Sequence, residues 1–132
     1  MHNTTKLTVF KEFALNLAKL SHCEQRGVAA LITDDNFQQI YSIGINGGVS
    51  KGVQCLCILP GKETCVHAEA QALAKCITSP VGKTMILTLS PCVTCAALMI
   101  NSGIVRVYYC ESWKDTTGLK LLNDAGIQCI KI

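Results

Sequence analysis

His67, Glu69, Cys92 and Cys95 fall in two short runs, "CVHAEAQAL" at 65–73 and "SPCVTCAAL" at 90–98, and each run passes into a segment of helical character. Side chains at i and i+3 share one face of a helical turn, so Cys92 and Cys95 can grip one ion, and His67 from a neighbouring helix start can supply a third ligand. Three protein ligands with an open fourth place are the arrangement of a catalytic zinc site, whereas a structural site is closed by four. Helix N-termini add positive partial charge, which lowers thiolate pKa values and favours a bound hydroxide. Such an ion ionises water near neutral pH. A carboxylate two residues from the histidine, as Glu69 is, points away from the ligand direction and can carry protons between that water and a leaving group.

Two blander readings compete for the same residues. A Cys-x-x-Cys beside a βαβ pattern also serves as a redox pair, and many cysteines are small apolar core residues. The proline just before Cys92 and the His-x-Glu at an upstream helix start favour the metal site. The chain has nine cysteines, an odd number, with no secretion signal, so reduced thiols and metal ligands are expected rather than a disulfide framework. Cys76, Cys110 and Cys129 fall on predicted helix or strand and are expected to be apolar filler.

Composition bounds the rest. With 132 residues, 49% of them hydrophobic and 16% charged, one globular domain over residues 1–132 is expected. The net charge of +3 is small and the basic residues are scattered from Lys6 to Lys131, so a nucleic-acid partner is not expected, while an anionic small-molecule substrate is allowed. Apolar runs are too short to cross a bilayer, and the first twenty residues interleave charge with apolar positions. No membrane partner is expected, and the protein reads as cytoplasmic and unprocessed.

The elements that must position these groups follow from periodicity. Val9, Phe13, Leu17 and Leu20, with Ala14 and Leu15, predict an amphipathic first helix over about 5–20. "GVAALIT" and "QIYSIGI", parted by "DDNF", predict a hairpin, and residues 46–64 a long functional loop. Beyond it "HAEAQALAKCI", "KTMILTL", "VTCAALMINSG", "IVRVYYC", "TTGLKLLNDAG" and "IQCIKI" read as helix, strand, helix, strand, helix, strand. Right-handed crossovers then make the later part of the sheet parallel, with the hairpin antiparallel on it.

"HAE" followed by "PCVTC" resembles the signature of zinc-dependent nucleobase deaminases. With "SHCEQRGVAALI", "GINGG", "TLSPCVTCAALMINSGIVRVYY" and "WKD", the chain is similar to the deoxycytidylate deaminase branch of the cytidine deaminase family from Ser21 to about Gly126. The resemblance implies an α/β, three-layer α-β-α fold with a five-stranded mixed sheet, and hydrolysis of dCMP to dUMP and ammonia. A zinc-bound hydroxide would attack C4 while Glu69 shuttles protons, with His67, Cys92 and Cys95 as the zinc ligands. It further implies backbone contacts around Ala68 and Ser90 to the base, Asn46 on the sugar hydroxyl, Arg26 on the 5′-phosphate and a homo-oligomer. Arginine suits the phosphate because its planar fork donates two hydrogen bonds at once. The bland alternatives are a solvated loop charge for Arg26 and a turn residue for Asn46.

The chain departs from the family pattern in places. Trp113 and Lys114 stand where relatives carry tyrosine and arginine; they could still wall a base and pair with phosphate, or be a core residue and a solvated charge. Gln71 and the plain "GINGG" loop fall where related enzymes bind regulatory nucleotides, so Mg2+ is expected only if such a nucleotide binds. Cys23, Cys55, Cys57 and Cys65, with His22, form a candidate second, structural zinc site, although Cys-x-Cys fits the usual ligand spacing poorly. A deaminase of another base or nucleotide (dCTP, guanine, tRNA adenosine) and a silent zinc-held nucleotide-binding module are the competing functions. Arg26 and the lack of a basic patch speak against tRNA, and Glu69 against the silent module.

Overall fold

Strand β1 (Ala29–Thr33) is buried at every residue, and β3 (Thr84–Leu89) at all but its last. Strands covered on both faces read as continuous apolar runs, and these two occupy the middle of the sheet. In the computed structural model, which describes residues 2–23, 25–47 and 65–132, the sheet has five strands in the order β2-β1-β3-β4-β5. The others are β2 (Ile40–Ile45), β4 (Arg106–Glu111) and β5 (Gln128–Lys131). The β1 strand pairs antiparallel with β2 and β3, while β3–β4 and β4–β5 are parallel. This is the mixed sheet that the element order predicts.

Helices α2 (Ala68–Lys75), α3 (Val93–Ser102) and α4 (Thr117–Asp124) complete the pattern with α1 (His2–Ala18). Ala68 and Ala72 of α2, Ala96 and Met99 of α3 and Leu122 of α4 pack with Ala30, Ile32, Met85, Leu87 and Val107 of the sheet. Leu31 and Ile86, which alternate with those strand residues, join Ala14 of α1 in a separate cluster. The period of two along each strand therefore divides the core into two layers, with α1 on one face and α2, α3 and α4 on the other. Among the described residues, no helix is long and apolar enough to cross a membrane.

The first helix corrects the sequence reading. Its inward stripe is Leu7, Phe10, Ala14 and Leu17, whereas Val9 and Leu20 are 55% and 62% exposed and Phe13 and Leu15 also lie outside. The helix is apolar over much of its circumference, so spacing alone does not choose the face. Ala14 lets the backbone settle on the sheet, and Phe10 meets the buried Phe37 edge-on at 5.9 Å between ring centroids.

Two glycines allow the close approaches that carry the site. A Cβ on Gly44 of β2 would lie 1.9 Å from the Ala68 carbonyl oxygen, so only glycine lets the start of α2 rest on this strand. A Cβ on Gly118 of α4 would lie 2.2 Å from the Pro91 carbonyl oxygen and 2.9 Å from Cys92 backbone atoms. Gly118→Ala must displace that backbone, and overpacking of this kind costs about 1–3 kcal/mol. The expected outcome is a loss of that size in urea unfolding; an unchanged midpoint would show that the contact is not tight.

Candidate active site

Each ligand-bearing residue occupies a helix start that the sheet places. His67 is the N-cap of α2, extended at φ −65° and ψ 149°, and its ring makes no capping bond. Cys92 is the N-cap of α3; its sulfur accepts the Cys95 backbone N–H at 3.4 Å, and Cys95 follows in the first turn. Because β3 ends at Leu89 in the parallel part of the sheet, the site opens beyond strand C-terminal ends, where open α/β sheets bind ligands.

The geometry suits one tetrahedral ion. His67 Nδ1 lies 3.3 Å from Cys95 Sγ and 3.6 Å from Cys92 Sγ, and the three ligand atoms all fall within 4.8 Å of one another. Zinc bonds of about 2.1 Å to nitrogen and about 2.3 Å to sulfur, set at tetrahedral angles, separate nitrogen from sulfur by about 3.6 Å and the two sulfurs by about 3.8 Å. One ring nitrogen cannot serve two sulfurs equally well by hydrogen bonding, whereas a shared cation satisfies all three. Burial, followed by the neighbouring Glu69 and Cys92, pushes the Cys95 thiol up. A coordinated dication reverses that preference and holds the thiolate. The residues present fit zinc with one place left for a small ligand.

Glu69 lies in the first turn of α2 and is 5% exposed. Burial pushes its carboxyl up, opposed by its own backbone N–H, the charge of His67 and a hydrogen bond with Cys95. A carboxyl raised in this way can hold a proton and release it, which an exposed glutamate near neutral pH does poorly.

His67, Glu69 and Cys92 line a pocket of about 230 Å³ that also meets Arg26, Asn46, Ala68, Ser90 and Trp113, while Cys95 is buried outside its lining. Ser90 is buried, and its Oγ accepts the Trp113 backbone N–H at 2.7 Å, which ties the indole-bearing segment to the pocket wall. Asn46 is a brace as well as a lining residue. Its Oδ1 accepts from Ser21 Oγ and the Val28 N–H, both at 2.7 Å, and its Nδ2 donates to the Arg26 carbonyl at 2.7 Å. Lys114 is exposed and does not line this pocket, so the site gains no direct contact from it.

Of the candidate second zinc site, Cys55 and Cys57 lie outside the described residues, Cys23 and Cys65 reach the pocket wall, and His22 is exposed. Among the described residues, His67, Cys92 and Cys95 form the one cluster able to hold a metal. Sequence reasoning missed Ser21, Gly118 and Glu111. Glu111 pairs with Arg26 across 85 positions of chain, and no local pattern announces such a contact.

Helices on both faces of a mixed sheet, with a His-Cys-Cys triangle at adjoining helix starts, define an α/β protein with a candidate metal centre. The chain belongs to the cytidine and deoxycytidylate deaminase family, whose zinc-binding region matches residues 4–111 and so includes His67, Cys92 and Cys95. ComE operon protein 2 of Bacillus subtilis (strain 168) is 32% identical over 120 residues, 84% of this chain. Deoxycytidylate deaminase of Schizosaccharomyces pombe is 31% identical and matches 90% of it. The chain spans less than two thirds of these relatives' lengths, 62% of the first and 41% of the second. The crystal structure of dCMP deaminase from the cyanophage S-TIM5, in complex with dCMP and dUMP, is similar at a TM-score of 0.84 and 28% identity, covering 95% of both chains.

Proposed function

We propose that this protein hydrolyses dCMP to dUMP and ammonia, with His67, Cys92 and Cys95 holding one zinc ion and Glu69 moving the protons. The observation that carries this reading is a three-atom metal triangle, two of whose residues, His67 and Cys92, line one pocket with a buried glutamate and an arginine. Similarity over 95% of the chain to an enzyme solved with dCMP and dUMP supports the choice of substrate. Zinc, when bound, supplies a Lewis acid that brings the ionisation of water down to about neutral pH.

The chain's own groups do the rest. Glu69 takes the proton of the attacking water and places it on N3 of the cytosine ring, then takes the remaining proton from the hydroxyl now on C4 and delivers it to the departing amine, leaving the carbonyl of dUMP. Its buried position keeps bulk water from competing for those protons. Backbone groups at Ala68 and Ser90 meet the base edge, and Trp113, held by Ser90, forms a wall. Arg26 stands on the pocket wall with its carbonyl fixed by Asn46, and its guanidinium receives the 5′-phosphate. Asn46 retains a second Nδ2 hydrogen for the sugar hydroxyl. Lys114 adds only a screened attraction.

The phosphate assignment is open to a direct test. Hydrogen bonds to charged groups contribute about 1.5–3 kcal/mol each, so Arg26→Ala should raise KM for dCMP about ten- to a hundredfold. Deoxycytidine, which lacks the phosphate, should lose far less. Ammonia release from both substrates checks this; equal losses would remove Arg26 from the phosphate. Running dCTP and guanine alongside fixes the substrate class, and turnover of one of these without turnover of dCMP would overturn the proposal.

A further inference from the structure

Glu111 ends β4 and has no part in the chemistry above. Its backbone carbonyl accepts the Ser90 N–H at 2.8 Å, which pins it beside the pocket wall, and its Oε2 accepts a hydrogen bond from Arg26 Nη2. The cation at the pocket mouth thus carries a counter-charge of its own. The two side chains are 50% and 64% exposed, and ion pairs so solvated contribute little to folding. Its position, beside an arginine that lines the pocket, points to the ligand instead.

A fixed negative charge beside the phosphate-binding group opposes every negative charge that a ligand brings, in proportion to that charge. A nucleoside is indifferent to it, a monophosphate meets it once, and a longer phosphate chain meets it more strongly at the same solvated mouth. Like-charge juxtaposition is a common way to exclude near relatives of a preferred ligand. We infer that Glu111 is a specificity-determining residue that disfavours polyphosphorylated nucleotides at Arg26. This rests on the reading that Arg26 receives the substrate phosphate.

Calorimetric dissociation constants of the zinc-loaded protein for deoxyuridine, dUMP and dUDP test it without turnover. Glutamine keeps an acceptor oxygen for Arg26, so Glu111→Gln removes the charge while leaving the hydrogen bond. Binding should tighten least for deoxyuridine and most for dUDP, by about twofold more for each added negative charge, and the trend should flatten in high salt. Glu111→Asp, which keeps the charge, should retain the wild-type order. An equal change for all three ligands, or the largest gain for deoxyuridine, overturns the inference. A wild-type protein with no preference for dUMP over deoxyuridine overturns the phosphate reading beneath it.

Discussion

The Glu69→Gln protein keeps its zinc and loses at least about two orders of magnitude in kcat for dCMP. Glutamine has the shape of the buried side chain but can neither accept the proton of the attacking water nor donate one to the ring. The three metal-ligand atoms belong to other residues, so the ion stays. Removing a carboxylate from beside Cys95, whose thiolate it disfavours, leaves the metal site no worse. Zinc content by atomic absorption, read with ammonia release, separates the two effects. Near wild-type turnover with zinc in place would mean that the protons travel by another route.

Cys95→Ala has the opposite signature, losing the metal and the activity together. Cys95 is 2% exposed, and its sulfur is one of the two that approach His67 Nδ1. Without it the ion keeps two protein ligands, too few for either kind of zinc site. After dialysis against a chelator and return to stoichiometric zinc, wild type should hold about one ion per chain and the variant less than about a tenth of that. Ligand linkage adds a second readout: zinc at a thousandfold excess over its dissociation constant stabilises the native state by about 4 kcal/mol. Added zinc should therefore raise the Tm of wild type and leave the variant unmoved. A variant that still binds zinc would return Cys95 to the role of a core or redox cysteine.

The site was legible where its logic is local. A proline, two cysteines three apart and a His-x-Glu each mark a helix start, and helix starts can be read from a few adjacent residues. The mixed character of the sheet was legible for a related reason, because alternating strands and helices force parallel crossovers while the hairpin stays antiparallel. The buried face of α1 was not, since Leu7-Phe10-Ala14-Leu17 and Val9-Phe13-Leu20 are both apolar stripes and the sheet decides between them. Nor was the double duty of Asn46, which reads as a turn or substrate residue until Ser21, Val28 and Arg26 are seen around its carboxamide. Gly44 and Gly118 look like ordinary helix and strand weakeners in sequence; only the backbones facing them, Ala68 and Pro91–Cys92, explain them.

Ammonia release from dCMP by protein carrying one zinc per chain is the most direct test of the proposed chemistry. Equal amounts of dUMP and ammonia should appear, at a rate that a chelator abolishes and added zinc restores. Zinc-loaded, folded protein that leaves dCMP intact would contradict it.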